Sequence, residues 1–149
     1  MFMKILLIVL SGLTLLLFAC NTTKDKQPDQ AEIQDNEAWN PLLHDIWVLT
    51  DINDRSLEGI LKRPRLELFP SDNRMGGNGS CNDLFGNIKT TAQTIHFSKM
   101  GSTKMYCSEM DMETEFLKTL ALVNQYQIKG LKLYLLVDKK VVLVFQKVD

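Results

Sequence analysis

Three cysteines, two histidines and seven methionines carry most of the chemistry that this sequence could perform. Nucleophilic catalysis needs a nucleophile, a base and an orienting group within reach of one another. His44 stands beside Asp45, and His96 stands between Ile95 and Phe97, where strand alternation turns it to solvent. Two isolated histidines, without a His-Glu-x-x-His spacing or a third ligand, predict no zinc site. Met105, Met110 and Met112 offer thioether sulfur, which suits Cu(I). No histidine near them completes such a ligand set, so packing in a core is the better reading, and neither metal nor other cofactor is expected.

The stretch from Arg74 to Ile88 holds half of the chain's eight glycines, at 76, 77, 79 and 86. A phosphate-cradling loop would need a Gly-Lys-Ser/Thr ending, or a glycine triplet between a strand and a helix. Neither is present, and tight β turns are the expectation. Within this stretch Asn82 and Asp83, beside Cys81, are the candidates for a recognition surface, because polar residues on a pinned loop present fixed hydrogen-bonding groups. The competing reading, preferred for Asn82, is that its side chain bonds neighbouring backbone in a turn.

The third cysteine has a different context. Lys4, the apolar run Ile5 to Phe18 and the small Ala19 form a tripartite export signal over residues 1–19. The run is shorter than the roughly 20 residues that cross a bilayer. Leu17-Phe18-Ala19-Cys20 resembles the lipobox of bacterial lipoproteins, with Phe18 bulkier than the residue usual at its position. The resemblance implies lipidation of Cys20 and cleavage before it, so that the chain meets a membrane through N-terminal lipid. Asn21 follows, not the Asp that retains many lipoproteins in the inner membrane of enteric bacteria, which favours the outer membrane. Export and the use of Cys20 leave Cys81 and Cys107 as an even pair in an oxidising compartment. A disulfide between them is expected, with two buried reduced thiols as the alternative.

Residues 20–38 contain no aromatic residue and few aliphatic ones among Gln, Asp, Asn and Lys, the composition of a flexible tether. From Trp39 to residue 149 the composition is that of one folded domain, which a chain of 149 residues with 45% hydrophobic content can support. Lys4 is the only charge in the signal, so the remainder carries one fewer than the chain's 17 basic residues against 18 acidic ones. That balance predicts no nucleic-acid partner and no peripheral polybasic grip on a membrane. A monomer is expected, with an envelope protein as the candidate partner.

The elements that must position these residues are short strands and one helix. Ile46 to Ile52, and Arg65 to Phe69 with its alternating pattern, read as strands, as does Thr94 to Phe97. Tyr126 to Ile128, Leu131 to Val137 and Val141 to Gln146 follow, the last two joined through Asp138-Lys139-Lys140 as a hairpin turn. Between these groups Ser108 reads as a helix N-cap, with Glu109, Asp111, Glu113 and Glu115 complementing the helix dipole. Met112, Phe116, Leu120 and Val123 recur at spacings of three and four, a stripe that should face a sheet.

Gly77-x-x-x-Cys81-Asn82-x-x-x-Gly86, then Thr103-x-Met105-x-Cys107, then Glu113, Phe116 and Leu120, together resemble the META domain, the family that includes the heat-shock protein HslJ. Trp47-x-Leu49, Pro64-x-Leu66 and Tyr126-x-Ile128-x-Gly130-x-x-Leu133 extend the likeness from Trp47 to Phe145. Ser80 stands where the family usually has Gly, and Tyr106 where it has a small residue. The resemblance implies an α+β fold, a compact antiparallel barrel-like sheet with one packed helix. It also implies a link to heat shock, antibiotic tolerance and the envelope, with no general catalytic activity. Two functions therefore stand as expectations: a non-catalytic envelope domain that binds a partner, or a small-ligand-binding or hydrolytic protein using the Gly76–Gly86 loop.

Overall fold

The computed structural model describes residues 38–108 and 110–148. The signal segment, Cys20 and all of the expected tether before residue 38 lie outside the described residues. The strands are β1 (Ile46–Ile52), β2 (Arg55–Ser56), β3 (Arg65–Phe69), β4 (Arg74–Asn78), β5 (Asp83–Thr90) and β6 (Ile95–Ser102). Helix α1 (Met110–Leu120) follows, then β7 (Gln125–Lys129), β8 (Lys132–Val137) and β9 (Lys140–Lys147). All pair antiparallel in the order β6-β5-β4-β3-β1-β9-β8-β7, with β2 added to the end of β1.

The sheet is open, which corrects the barrel-like expectation. Its two ends, β6 and β7, meet only at an isolated bridge between Thr94 and Gln125 and at the flanking bonds Ile95 N–H to Asn124 O and Tyr126 N–H to Gln93 O. Continued in that antiparallel register, residues 95–102 would face residues 124–117. That stretch is the end of α1 and the turn after it, so β6 has no strand to close against. The helix stands where closure would require extended chain.

Alternation explains the core. Leu66 and Leu68 of β3 are fully buried, and their neighbours are more exposed. In β1 the buried residues are Trp47, Leu49 and Ile52, a spacing of two and then three. The change of parity is produced by a bulge at Thr50: Leu49 pairs with Phe145 and Asp51 with Val144, so one extra residue on β1 returns Ile52 to the inner face. From α1, Phe116 and Leu120 are fully buried, and Met112 packs at the margin of the core. The Phe116 ring meets Phe145 of β9 edge-on, with centroids 6.2 Å apart. The Trp47 indole N–H, buried with its ring, donates to the Leu43 carbonyl at 3.1 Å.

The β8–β9 hairpin turns at Asp138 and Lys139, both at positive φ (46° and 75°), as a two-residue turn between right-twisted strands demands. Asn53 and Asp54 (φ 47° and 64°) turn β1 into β2 in the same way. The stretch expected to be only turns, Arg74 to Ile88, is instead the hairpin β4–β5 with most of its glycines inside the strands. At two of those positions a side chain would meet its neighbours, severely at Gly77 and more mildly at Gly86. Gly77 lies at φ 143°, and a Cβ there would fall 2.0 Å from the Arg65 carbonyl oxygen of the paired strand. At Gly86 a Cβ would press on Met75 and Met100 at 3.2 Å.

Candidate functional site

The hairpin turn between β4 and β5 is a densely hydrogen-bonded corner. Gly79 N–H donates to the Asn82 carbonyl at 2.8 Å, which closes the turn, and Ser80 inside it takes φ 96°. Asn82 is 1% exposed and uses its amide in full. Its Nδ2 donates to Glu113 Oε1 at 3.0 Å and to the Met105 carbonyl at 3.3 Å, and its Oδ1 accepts from Thr103 Oγ1 at 2.9 Å and Met105 N–H at 2.6 Å. Its backbone N–H donates to Glu113 Oε2 at 2.7 Å. One asparagine thus ties the β4–β5 turn, the 103–107 segment and α1 together.

Cys81 and Cys107 form a disulfide across the same corner, with Cα atoms 6.0 Å apart. This is the pairing expected from the sequence. Glu113 is 4% exposed although it belongs to the acidic start of the helix. Its burial was not foreseen, yet a signal exists: Glu113, Phe116 and Leu120 follow one another at three and four residues, so they share the inward face. Gly79 makes room for it, since a Cβ at Gly79 would come within 2.7–3.0 Å of the Glu113 side chain.

The remaining candidates are dispersed. Asp83 is exposed and accepts from Asn78 Nδ2 at 3.1 Å. His96 is exposed on β6 opposite Lys89, six residues along β5 from Asp83, or about 20 Å at the rise of a strand. His44 is exposed and meets the Phe69 ring edge-on at 5.5 Å. Partial burial of Asp45 would raise its pKa, but the hydrogen bonds from Lys147 and from the Ile46 amide, with the Lys147 charge, hold its carboxyl below the usual aspartate range. Burial pushes the Tyr126 hydroxyl up; it donates to the Thr91 carbonyl at 2.9 Å and accepts from Asn40 N–H at 3.2 Å. Met105 is 55% exposed, Met110 Sδ approaches Asn82 Nδ2 at 4.0 Å, and Met112 packs at the core margin. Among the described residues no three His, Cys, Asp or Glu side chains are grouped to hold a metal ion.

A groove of about 520 Å³ opens beside the disulfide. Lys62, Arg63 and Arg65 line it together with Asn78, Ser80 and Asp83. Arg65 also pairs with Glu67 at 3.0 Å. Sequence reasoning passed over this basic run, whose signal was three cations in four residues, 62, 63 and 65, just before a strand.

The fold has counterparts of known structure. The chain resembles a protein from Burkholderia xenovorans solved by NMR, at 21% identity and a TM-score of 0.57, over 72% of this chain and 83% of that one. It also resembles the crystal structure of a DUF4847 family protein from Bacteroides vulgatus, at 15% identity and a TM-score of 0.53, over 73% of this chain and 97% of the other. No curated protein matches the chain significantly. The family model of the META domain matches residues 40–149, which takes in every strand, the helix, the disulfide and the Asn82 corner. The chain belongs to the META domain family.

Proposed function

We propose that this protein is a lipid-anchored lipoprotein of the bacterial envelope, whose META domain acts by binding and not by catalysis, in support of tolerance to envelope stress or antibiotics. One observation carries the reading: Asn82, the polar residue that most invites a site, is spent on the fold, with Glu113, Thr103 and Met105 as its partners. His44, His96 and Asp83 are exposed and stand apart, so they do not gather in one water-shielded pocket. The Leu17-Phe18-Ala19-Cys20 motif supports the anchor, and Asn21 after it favours the outer membrane.

The test has two arms. Mass spectrometry of the mature protein is expected to find diacylated Cys20 at its N-terminus; an unmodified start refutes the anchor. In cells under envelope stress, His44→Ala, His96→Ala and Asp83→Ala are each expected to leave tolerance nearly intact. A variant among these that abolishes tolerance at normal abundance and melting temperature refutes the non-catalytic reading in favour of a ligand-binding or hydrolytic site near the Gly76–Gly86 stretch.

A further inference from the structure

Exposed apolar side chains are scattered over the domain, but two differ from the rest in degree. Leu61 is 99% exposed and Tyr106 is 95% exposed, against 66% or less for every other large hydrophobic residue described. A side chain that free touches nothing in its own fold. Both belong to segments that border the Cys81–Cys107 disulfide: Leu61 lines the groove that Cys81 lines, and Tyr106 directly precedes Cys107. Ile60 and Met105, the neighbours of these two, are 43% and 55% exposed.

Cations surround them. Lys62 and Arg63 follow Leu61 and are exposed, Arg65 lines the groove, and Lys104 is exposed two residues before Tyr106. Overall the chain is slightly acidic, so this density of positive charge is local, made where the 57–64 loop meets the β4–β5 corner. Of the acids, Asp83 lines the groove and bonds Asn78, Glu67 pairs with Arg65, and Glu58 is exposed in the 57–64 loop, so the cations Lys62, Arg63, Arg65 and Lys104 outnumber the acids by one. A fully exposed aliphatic tip flanked by Lys and Arg has the chemistry of the membrane interface. The apolar group enters the acyl boundary while the cations remain among phosphates.

We infer that the face carrying Leu61, Lys62 and Arg63, at the corner whose disulfide segment also exposes Tyr106, docks on an anionic phospholipid surface. The inference uses the lipid-anchored reading only to say how the domain meets a membrane; the contact itself needs no anchor. The disulfide and the Asn82 network hold the 103–107 segment beside the groove, so that segment needs little ordering on contact.

The experiment uses the mature chain from residue 20 with Cys20→Ser, oxidised, and vesicles of phosphatidylcholine with or without an equal share of phosphatidylglycerol. Cosedimentation is expected with the anionic vesicles alone and is expected to fall steeply at 0.5 M salt, where the Debye length is only about 4–5 Å. At about fivefold per cation, Lys62→Glu with Arg63→Glu should lower partitioning at least tenfold. Leu61→Ser should lower it about tenfold, whereas Leu122→Ser, which removes a leucine 66% exposed elsewhere, should leave it unchanged. All four positions are open to solvent, so melting temperatures should match the wild type. Equal binding to neutral vesicles, no binding, or indifference to the Leu61 and Lys62/Arg63 changes overturns the proposal, including where the same substitutions instead abolish crosslinking to an acidic protein. Because the protein in this assay has no lipid, its failure leaves the fate of Cys20 a separate question.

Discussion

Glu113 holds two different donors of Asn82, one on each carboxyl oxygen, and the arrangement admits no simple replacement. A glutamine has one acceptor where the site needs two, and its amide nitrogen would face an N–H. We expect Glu113→Gln to cost about 1–3 kcal/mol, the range for a buried donor left without a partner. Glu113→Ala removes both acceptors and should cost more. Urea unfolding checks this through a lowered midpoint at unchanged m-value. Gly77→Ala should destabilise by more than about 1 kcal/mol, because it adds a Cβ at a positive φ against the backbone of the neighbouring strand. Asn82, Cys81 and Cys107 were legible as the residues that matter, through their spacing and their amide and thiol chemistry. Their partner Glu113 stood in the family pattern, but its burial was not legible, because an acid in the first turn of a helix has a sufficient explanation in the dipole. Only its phase relative to Phe116 and Leu120 betrayed it.

Strands β1 and β3 have the limits that alternation predicts, and the β8–β9 hairpin turns where a short polar connection predicts it. Strands β4 and β5 were missed because pattern reasoning takes glycine as punctuation. Here Gly77 is a point of close backbone approach within a strand, a role that depends on a neighbour distant in sequence. The disulfide spans 26 residues and joins the turn of that hairpin to the entry of α1. Loop-closure entropy assigns such a link roughly 3–4 kcal/mol. Reduction, or Cys81→Ala with Cys107→Ala, is therefore expected to lower stability by about 2–4 kcal/mol, read as a reductant-dependent melting temperature. A second connection joins the start of β1 to the end of β9, where Lys147 Nζ lies 2.7 Å from Asp45. Because the folded state lowers the Asp45 pKa, the pair's contribution is present above the usual aspartate pKa and is lost as pH falls through the depressed value. Asp45→Asn should cost on the order of 1 kcal/mol at pH 7 and progressively less as pH falls through the depressed Asp45 pKa, so the two stability curves converge in acid.

At the scale of the molecule, an eight-strand path that nearly meets itself encloses one apolar core, and α1 fills the arc that no strand occupies. The family pattern made the sheet and its helix legible; the failure to close was not, since it follows from the register of Thr94 with Gln125, which no local pattern encodes. Among the described residues the buried core runs from Leu43 to Phe145. Such a core should unfold as one cooperative unit, and the domain built on it is expected to fold whether or not Cys20 carries lipid. The two properties of the chain, folding and attachment, are therefore expected to separate under one substitution. Cys20→Ala should leave the Cys81–Cys107 disulfide formed and the melting temperature within about 2 °C, corresponding to less than roughly 0.5 kcal/mol for a domain of this size. The same variant should lose its membrane attachment. Any portion still held by the Leu61 face should be released by high salt, since that contact is electrostatic in large part and acylation is not. Fractionation of cells before and after a salt wash, with thiol counting and a melting curve on the purified variant, measures all three quantities. Full retention of Cys20→Ala in salt-washed membranes would refute the lipid anchor, and loss of the disulfide or of cooperative melting would refute the independence of the fold.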